Sequence, residues 1–113
     1  MKEEYDFAAL LACRITTLMR EKDRDLTLRQ LAVLLICCTS KQPWTVKGLA
    51  IRLMIPTPSI TRAVDHLERA GLVKRGDNPD DWRSVLVTIT PDGKRYAARF
   101  FGGYEAGRRK VIE

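Results

Sequence analysis

Hydrophobic residues in the first forty positions recur at intervals of three and four. This spacing predicts an amphipathic helix over residues 4–22, and a second helix that begins at Thr27, whose hydroxyl is suited to an N-cap. The first helix has the apolar stripe Phe7, Leu11, Ile15 and Leu18, and the second has Leu28, Leu31, Leu34, Leu35 and Cys38. Each stripe requires a packing partner.

Two shorter helices follow, joined by a tight turn. Thr45 is the predicted N-cap of the first, and Pro56 is expected to end it because proline lacks an amide donor. Thr57 is the predicted cap of the next, with Pro58 at its first position and Gly71 as its left-handed C-terminal residue. The apolar face of that helix is Ile60, Val64 and Leu67, and its polar side is Ser59, Thr61, Arg62, Asp65, His66 and Arg69. This pair predicts a helix-turn-helix.

After Gly71 the pattern changes to alternation. Residues 72–75 form a predicted strand, 76–81 a turn, and 85–89 a returning strand, while Thr90 and Pro91 open a last helix that Gly102 and Gly103 interrupt. We therefore predict a mainly α (α+β) fold. It is a winged helix-turn-helix with an N-terminal helix, a three-helix core, a two-stranded wing hairpin and a short C-terminal helix. Residues 1–113 are predicted to form one domain. Within it, residues 4–22 are the N-terminal helix, residues 26–90 are the helical core and wing, and residues 91–113 are the C-terminal helix and tail.

Composition narrows the class of protein. A chain of 113 residues with 45% hydrophobic and 30% charged residues is expected to be one globular domain. No apolar run reaches the roughly 18 to 20 residues that a membrane span needs. The acidic N-terminus lacks a signal-peptide pattern, so we expect a cytoplasmic protein. The net charge of +6 is compatible with a polyanionic partner, but charge alone is weak evidence.

Catalytic and metal chemistry find little support. The chain shows no glycine-rich phosphate loop, no paired catalytic carboxylates and no nucleophile–base pair, so we predict that it is not an enzyme. The three cysteines lack metal-ligand spacing, and no second ligand accompanies His66. We expect neither a metal nor a cofactor. Cys37 and Cys38 are interpreted as core residues, with a redox switch as the alternative.

Three pieces of the chain carry a resemblance to a known family. They are Ser59-Ile60-Thr61-Arg62 followed by Leu67-Glu68-Arg69-Ala70-Gly71-Leu72-Val73, then Arg75 six residues before Asp81, and finally Asp81-Trp82-Arg83-Ser84-Val85. Between Leu26 and about Phe101 the chain resembles the multiple-antibiotic-resistance-regulator (MarR) family of bacterial transcription factors. The third piece fits that family's wing pattern of Asp, any residue, Arg.

The resemblance implies a homodimer on double-stranded DNA with an inverted-repeat operator. One recognition helix per subunit would enter a major groove, and each wing would reach the neighbouring minor groove. Arg83 is expected in the minor groove, with Asp81 orienting its guanidinium. The predicted DNA-binding residues are Thr57, Ser59, Thr61, Arg62, His66, Lys74, Arg75, Asp81, Arg83 and Ser84. The alternatives are a solvated surface ion pair for Asp81 and Arg83, a helix-start residue for Ser59, and a solvated strand for Lys74 and Arg75.

Other features keep alternatives open. Trp82 departs from the charged residue frequent there in the family, and it is expected to cover the wing base, stack on the sugar-phosphate edge or meet a protein. Trp44 is expected to pack between helices. The glycine-rich tail weakens a C-terminal dimerisation helix, so the first helix is the candidate dimer contact, and a small-molecule effector is less expected. The competing hypothesis is a winged-helix module that binds proteins and no specific DNA.

Overall fold

A computed structural model of the chain describes residues 2–20 and 25–100, with side chains from residue 6 onward. The elements are α1 (Lys2–Met19), α2 (Leu28–Thr39), β1 (Trp44–Thr45), α3 (Val46–Leu53), α4 (Thr57–Arg69), β2 (Val73–Asp77), β3 (Val85–Ile89) and α5 (91–100). This order confirms the predicted winged helix-turn-helix. The predicted end of the first helix beyond residue 20 and the break at Gly102 and Gly103 lie outside the described residues.

Side-chain caps begin the second and third helices at the predicted residues. Thr27 Oγ1 accepts a hydrogen bond from the Gln30 amide at 3.2 Å, and Gln30 Oε1 accepts one from the Thr27 amide at 2.9 Å. This reciprocal pair is a capping box. Thr45 Oγ1 likewise accepts from the Gly48 amide at 2.8 Å, which fixes the start of α3.

Two predicted helix boundaries around the turn are wrong. Met54, with φ 56°, adopts the left-handed conformation and ends α3, so the helix stops before Pro56 is reached. Pro56 itself is the N-cap of α4, and Thr57 is the first helical residue instead of the cap. No side chain caps the first turn of α4. Gly71, with φ 78°, is left-handed after α4 as predicted.

The core lies where α2, α3 and α4 pack on one another and on the sheet. Ile60, Val64 and Leu67 are fully buried, which confirms the predicted face of α4. The predicted face of α2 is confirmed only in part, since Leu34 is fully buried whereas Leu28 is 83% exposed and Cys38 is only partly buried. The buried residues of α2 are Val33, Leu34 and Cys37. Because α2 is apolar on almost every side, its packing against α4 selects the buried face.

The sheet has a third strand that the sequence pattern did not reveal. The strands are antiparallel in the order β1-β3-β2. In the central strand β3, Val87 pairs with Trp44 of β1 on one side and with Arg75 of β2 on the other. A strand of two residues is too short to show an alternation. Trp44 packs against the core and donates its indole N–H to Ser40 Oγ, which agrees with the packing role predicted for it.

Among the helices in the described part of the chain, α1 has the apolar stripe that is least buried. Leu18, near its C-terminal end, is 4% exposed and belongs to the core. Phe7 and Met19 are at least half exposed, and Ile15 is also exposed. The stripe predicted from the sequence is therefore buried at Leu18, partly buried at Leu11 and exposed at Ile15.

Hydrogen bonds connect Thr90, which precedes α5, to the residues that follow α4. The Thr90 hydroxyl donates to the Gly71 carbonyl at 2.7 Å and accepts from the Gly93 amide at 2.9 Å, while the Thr90 amide donates to the Leu72 carbonyl at 3.1 Å. Gly93 lies so near Leu72 that a Cβ atom there would be 2.1 Å from that carbonyl oxygen. Only glycine permits this approach between helix and strand.

An ion-pair cluster ties the wing to α4. One carboxylate oxygen of Glu68 accepts the Arg75 amide at 3.0 Å, and the other accepts two guanidinium nitrogens of Arg75 at 3.3 and 3.0 Å. Asp65, one turn earlier on α4, pairs with the same guanidinium. The hydrogen bonds from the Arg75 amide and guanidinium lower the pKa of Glu68 below its ordinary value of 4.5. Strand β2 is thereby held in register with the C-terminal half of α4.

Replacing Gly93 with alanine tests the close approach. We expect Gly93→Ala to lower the free energy of unfolding by about 1–3 kcal/mol, because the backbone of Leu72 must move to admit the methyl group. Gly76→Ala is the matched control, since nothing lies within 4 Å of a Cβ there, and it should change stability by less than about 0.5 kcal/mol. Urea unfolding measures both, and equal effects would contradict the packing at Gly93.

The pH dependence of protein stability tests the contact between Glu68 and Arg75. Because the pKa of Glu68 is lowered in the folded protein, its stabilisation should be complete above the ordinary value of 4.5 and vanish as pH falls through the folded value. Wild type should therefore be more stable than Glu68→Gln at pH 7, and the difference should shrink as the pH falls below 4.5 and through the folded value. A difference in urea midpoint that stays constant from pH 7 to pH 3 would exclude this role.

Candidate nucleic-acid interface

The N-terminal half of α4 forms one wall of a cleft whose other walls are the start of α3 and the wing. The cleft has a volume of about 500 Å³. Six of the predicted DNA-binding residues line it: Thr57, Thr61, Arg75, Asp81, Arg83 and Ser84. The fold thus brings the start of the recognition helix and the wing to one surface, although they are separated by about twenty positions in the chain.

A second cleft of about 410 Å³ lies between α4 and the start of α2. Ser59 and Arg62 line it, and Arg62 donates to Ser59 Oγ at 3.3 Å. Arg29 and Gln30 of α2 form the opposite wall. The first turns of α4 therefore have a cleft on each side, with Arg29 and Arg62 at one and Lys47 and Arg83 at the other.

Sequence reasoning missed part of this surface. Thr45 and Lys47 at the start of α3, and Arg29 and Gln30 at the start of α2, were not among the predicted binding residues. The available signal was the position of each next to a helix N-cap, where exposed amides and the helix dipole favour anions. That signal is weak without the fold, because it does not say which helix starts face the same way.

The wing tip between β2 and β3 is ordered by its own polar side chains. Asn78 Oδ1 accepts the Asp80 amide at 2.9 Å, as in an Asx turn. Asp81 Oδ1 accepts the Arg83 amide at 3.0 Å, and its Oδ2 accepts the Ser84 hydroxyl at 3.1 Å. These contacts close the tip into a defined turn, so the direction in which residue 83 leaves the backbone is set.

This geometry corrects the predicted role of Asp81. The expected pairing of its carboxylate with the Arg83 guanidinium is absent from the ion pairs of the described residues, because both carboxylate oxygens serve the backbone and Ser84. The guanidinium of Arg83 lies instead over the ring of Trp82, with Cζ 5.4 Å from the ring centroid. Trp82 is 84% exposed, so it does not cover the base of the wing.

Arg75 also has a different role from the predicted one. Its guanidinium pairs with both Glu68 and Asp65, and the hydrogen bonds that it donates to Glu68 raise the pKa of Arg75. Two carboxylates thus balance the single positive charge within the protein. Arg75 lines the wing-side cleft but serves to hold the wing, and we leave it out of the proposed DNA contacts.

Two predicted residues lie outside both clefts. Lys74 is exposed on β2, on neither cleft wall. His66 is partly buried, and its Nε2 atom is shielded from solvent without a hydrogen-bond partner in the described structure. It is therefore not the exposed histidine that the helical spacing predicted.

The cysteines resemble packing residues more than a reactive pair. Cys37 is buried. Its desolvation, and to a smaller extent the nearby Cys38, raise the pKa of its thiol to about 11. Burial also raises the pKa of Cys38. A thiol with a raised pKa is largely protonated at neutral pH and reacts slowly. The sequence interpretation had placed Cys38 in the buried stripe, whereas the structure buries Cys37 more deeply.

Within residues 2–20 and 25–100, no group of three or more His, Cys, Asp or Glu side chains is arranged to hold a metal ion. Across the same ranges, no helix combines the length and hydropathy that crossing a bilayer requires.

Comparison with known proteins agrees with the fold. A family model described as the MarR family matches residues 26–85. An uncharacterised HTH-type transcriptional regulator of Bacillus subtilis, YfiV, is 31% identical over 77% of this chain and 52% of its own length. The multiple antibiotic resistance protein MarR of Salmonella typhimurium is 37% identical over 61% of this chain and 47% of its own length. The chain thus spans about half the length of the curated relatives it matches.

Solved structures give the same result in three dimensions. A mutant MarR from E. coli complexed with operator DNA has a TM-score of 0.67 and 29% identity, covering 83% of this chain and 62% of that one. RV1404 from Mycobacterium tuberculosis has a TM-score of 0.75, and at 21% identity it shows the fold alone. YfiV is named as a transcriptional regulator, and neither of the two relatives is named as an enzyme. Since the family model covers more than half of its residues, this chain belongs to the MarR family.

Proposed function

We propose that this protein is a transcriptional regulator that binds double-stranded DNA in a sequence-specific manner, with α4 in the major groove and the wing tip in the adjacent minor groove. The observation that carries the proposal is the shared cleft, in which the start of α4 and the wing-tip Arg83 face each other. The structural similarity to a MarR protein complexed with operator DNA supports it.

The exposed residues of α4 suit a major groove. The groove is about 12 Å wide and admits one helix. Thr57, Ser59 and Thr61 place short hydroxyls in the first turns, and the exposed Arg62 reaches a guanine edge or a phosphate. A helix inserted there has a phosphate strand on each side. Arg29 and Lys47, on the far walls of the two clefts, are suited to those strands.

The wing tip suits a minor groove. Arg83 projects from a turn held by Asp81, and neither Asp65 nor Glu68 neutralises it because both are committed to Arg75. A narrow minor groove concentrates negative potential and attracts an arginine. Lys74 and His66 lie away from both clefts, so we assign them no base contact.

We further propose that two copies bind an inverted-repeat operator through contacts that include α1. Ile15, on the apolar stripe of α1, and Met19 beside it are large apolar side chains exposed to solvent, whereas Leu18 of the same helix is buried. A second copy with the same stripe would supply a self-complementary face. Two recognition helices one DNA turn apart would then be separated by about 34–36 Å.

The loss of the Arg83 side chain tests the DNA proposal. Genomic fragments bound at physiological salt are selected first, and the affinity of Arg83→Ala for the tightest duplex is compared with wild type. We expect at least a roughly tenfold loss, because a specific arginine contact contributes about 1–3 kcal/mol. Arg95→Ala is the matched control, since Arg95 is exposed on α5 outside both clefts and its removal changes the net charge equally. Equal affinities of the two variants would exclude the wing contact.

The mass in solution tests the dimer. A chain of 12.9 kDa should sediment at twice that mass, and Ile15→Glu should shift it towards the single-chain mass because a charge would be buried in the contact. The far-ultraviolet circular dichroism spectrum shows whether the variant stays folded. A wild-type protein that sediments as one chain at micromolar concentration would exclude dimerisation through α1.

A further inference from the structure

The exposed tryptophan at the wing tip has no packing role in the described structure. Trp82 is 84% exposed, although a side chain of this size normally lies in a core or an interface. The guanidinium of Arg83 lies over its ring, with Cζ 5.4 Å from the ring centroid. This distance lies within the range of a cation–π interaction.

The other side chains near the tip leave the guanidinium of Arg83 without an ionic partner in the described structure. Asp81, the nearest acid in the chain, uses both carboxylate oxygens on the Arg83 amide and the Ser84 hydroxyl. The backbone of residue 83 is therefore fixed by Asp81, whereas the far end of its side chain is held by Trp82. Backbone and side chain are positioned by different neighbours.

We propose that Trp82 is a positioning residue, which stacks under the guanidinium of Arg83 and presents it to the minor groove of DNA. This inference rests on the DNA-binding function proposed above. A carboxylate that held the guanidinium would occupy some of its five N–H donors and neutralise its charge. An aromatic ring contacts only the face of the guanidinium, so the donors in its plane and its full charge stay available to DNA.

Stacking also reduces the freedom that Arg83 must lose on binding. A long side chain on an exposed turn samples many rotamers, and fixing it in a complex opposes association. A ring that holds the guanidinium in the free protein removes part of this cost beforehand. The removal of Trp82 should therefore weaken DNA binding through Arg83, even though the folded domain does not depend on the ring.

The test is a double-mutant cycle on the selected duplex. We expect Trp82→Ala to lose roughly 3- to 30-fold in affinity and Trp82→Phe to lose clearly less, since phenylalanine keeps a weaker cation–π face. In an Arg83→Ala protein, the further change Trp82→Ala should have less than about a twofold effect. A full Trp82 effect that persists without Arg83 would show that the ring acts on DNA directly and would overturn the proposal, as would wild-type affinity for Trp82→Ala.

A second readout needs no DNA and separates this inference from the proposed function. The chain has two tryptophans, so a protein labelled with 5-fluorotryptophan gives two fluorine resonances, which Trp82→Phe assigns. Arg83→Ala should shift the Trp82 resonance and leave that of Trp44 in place, whereas Arg95→Ala should move neither. An unmoved Trp82 resonance would refute the stack. A moved resonance in a protein that binds no duplex would refute the DNA function while the stack stands.

Discussion

The contact between Glu68 and Arg75 determines how the two halves of the proposed DNA surface are placed. Glu68 is in the last turns of α4, and it accepts both the backbone amide and the guanidinium of Arg75 on β2. The wing is a long two-stranded ribbon, and such a ribbon is barely stable by itself. Its attachment to α4, together with pairing of β3 to β1, converts it into a rigid extension of the helical core. The position of Arg83 relative to the start of α4 follows from that attachment.

Acidic and basic residues have separate tasks in this arrangement. Asp65 and Glu68 hold the base of the wing through Arg75, and Asp81 closes the turn at its tip. Each of these acids contacts the protein itself. Arg29, Lys47, Arg62 and Arg83 line the two clefts beside α4. The net charge of +6 therefore includes four basic side chains at the clefts, and the wing-side cleft also contains Asp81, whose carboxylate is hydrogen-bonded to the Arg83 amide and the Ser84 hydroxyl.

Local signals predicted much of the fold. The caps at Thr27 and Thr45, the buried face of α4 and the left-handed Gly71 all depend on interactions within a few residues, and all are confirmed. The failures involve distant partners. Strand β1 exists because Trp44 pairs with Val87, and the buried side of α2 is chosen by α4. The ending of α3 at Met54 was missed because a left-handed methionine has no sequence signature comparable to glycine.

The candidate site was predictable to a similar extent. The family pattern pointed to Arg83 and to the start of α4, which the fold places at one cleft. The pattern could not tell that Asp81 serves the backbone, that Arg75 is committed to Glu68, or that Lys47 and Arg29 flank the helix. The contacts of Asp81 depend on the backbone conformation of the wing turn, and the other two facts depend on how different elements pack together. Trp82 was singled out as a departure, and its contact with Arg83 gives that departure a physical role.

Amide chemical-shift mapping of the labelled protein during titration with the selected duplex tests most directly whether α4 and the wing form one DNA-binding surface. The largest changes should fall together in residues 57–62 and 81–84, with smaller ones at 27–30 and 45–47, and all should follow one saturation curve. Changes confined to α1 or α5, or changes at α4 that saturate while those of the wing tip do not appear, would contradict a single surface.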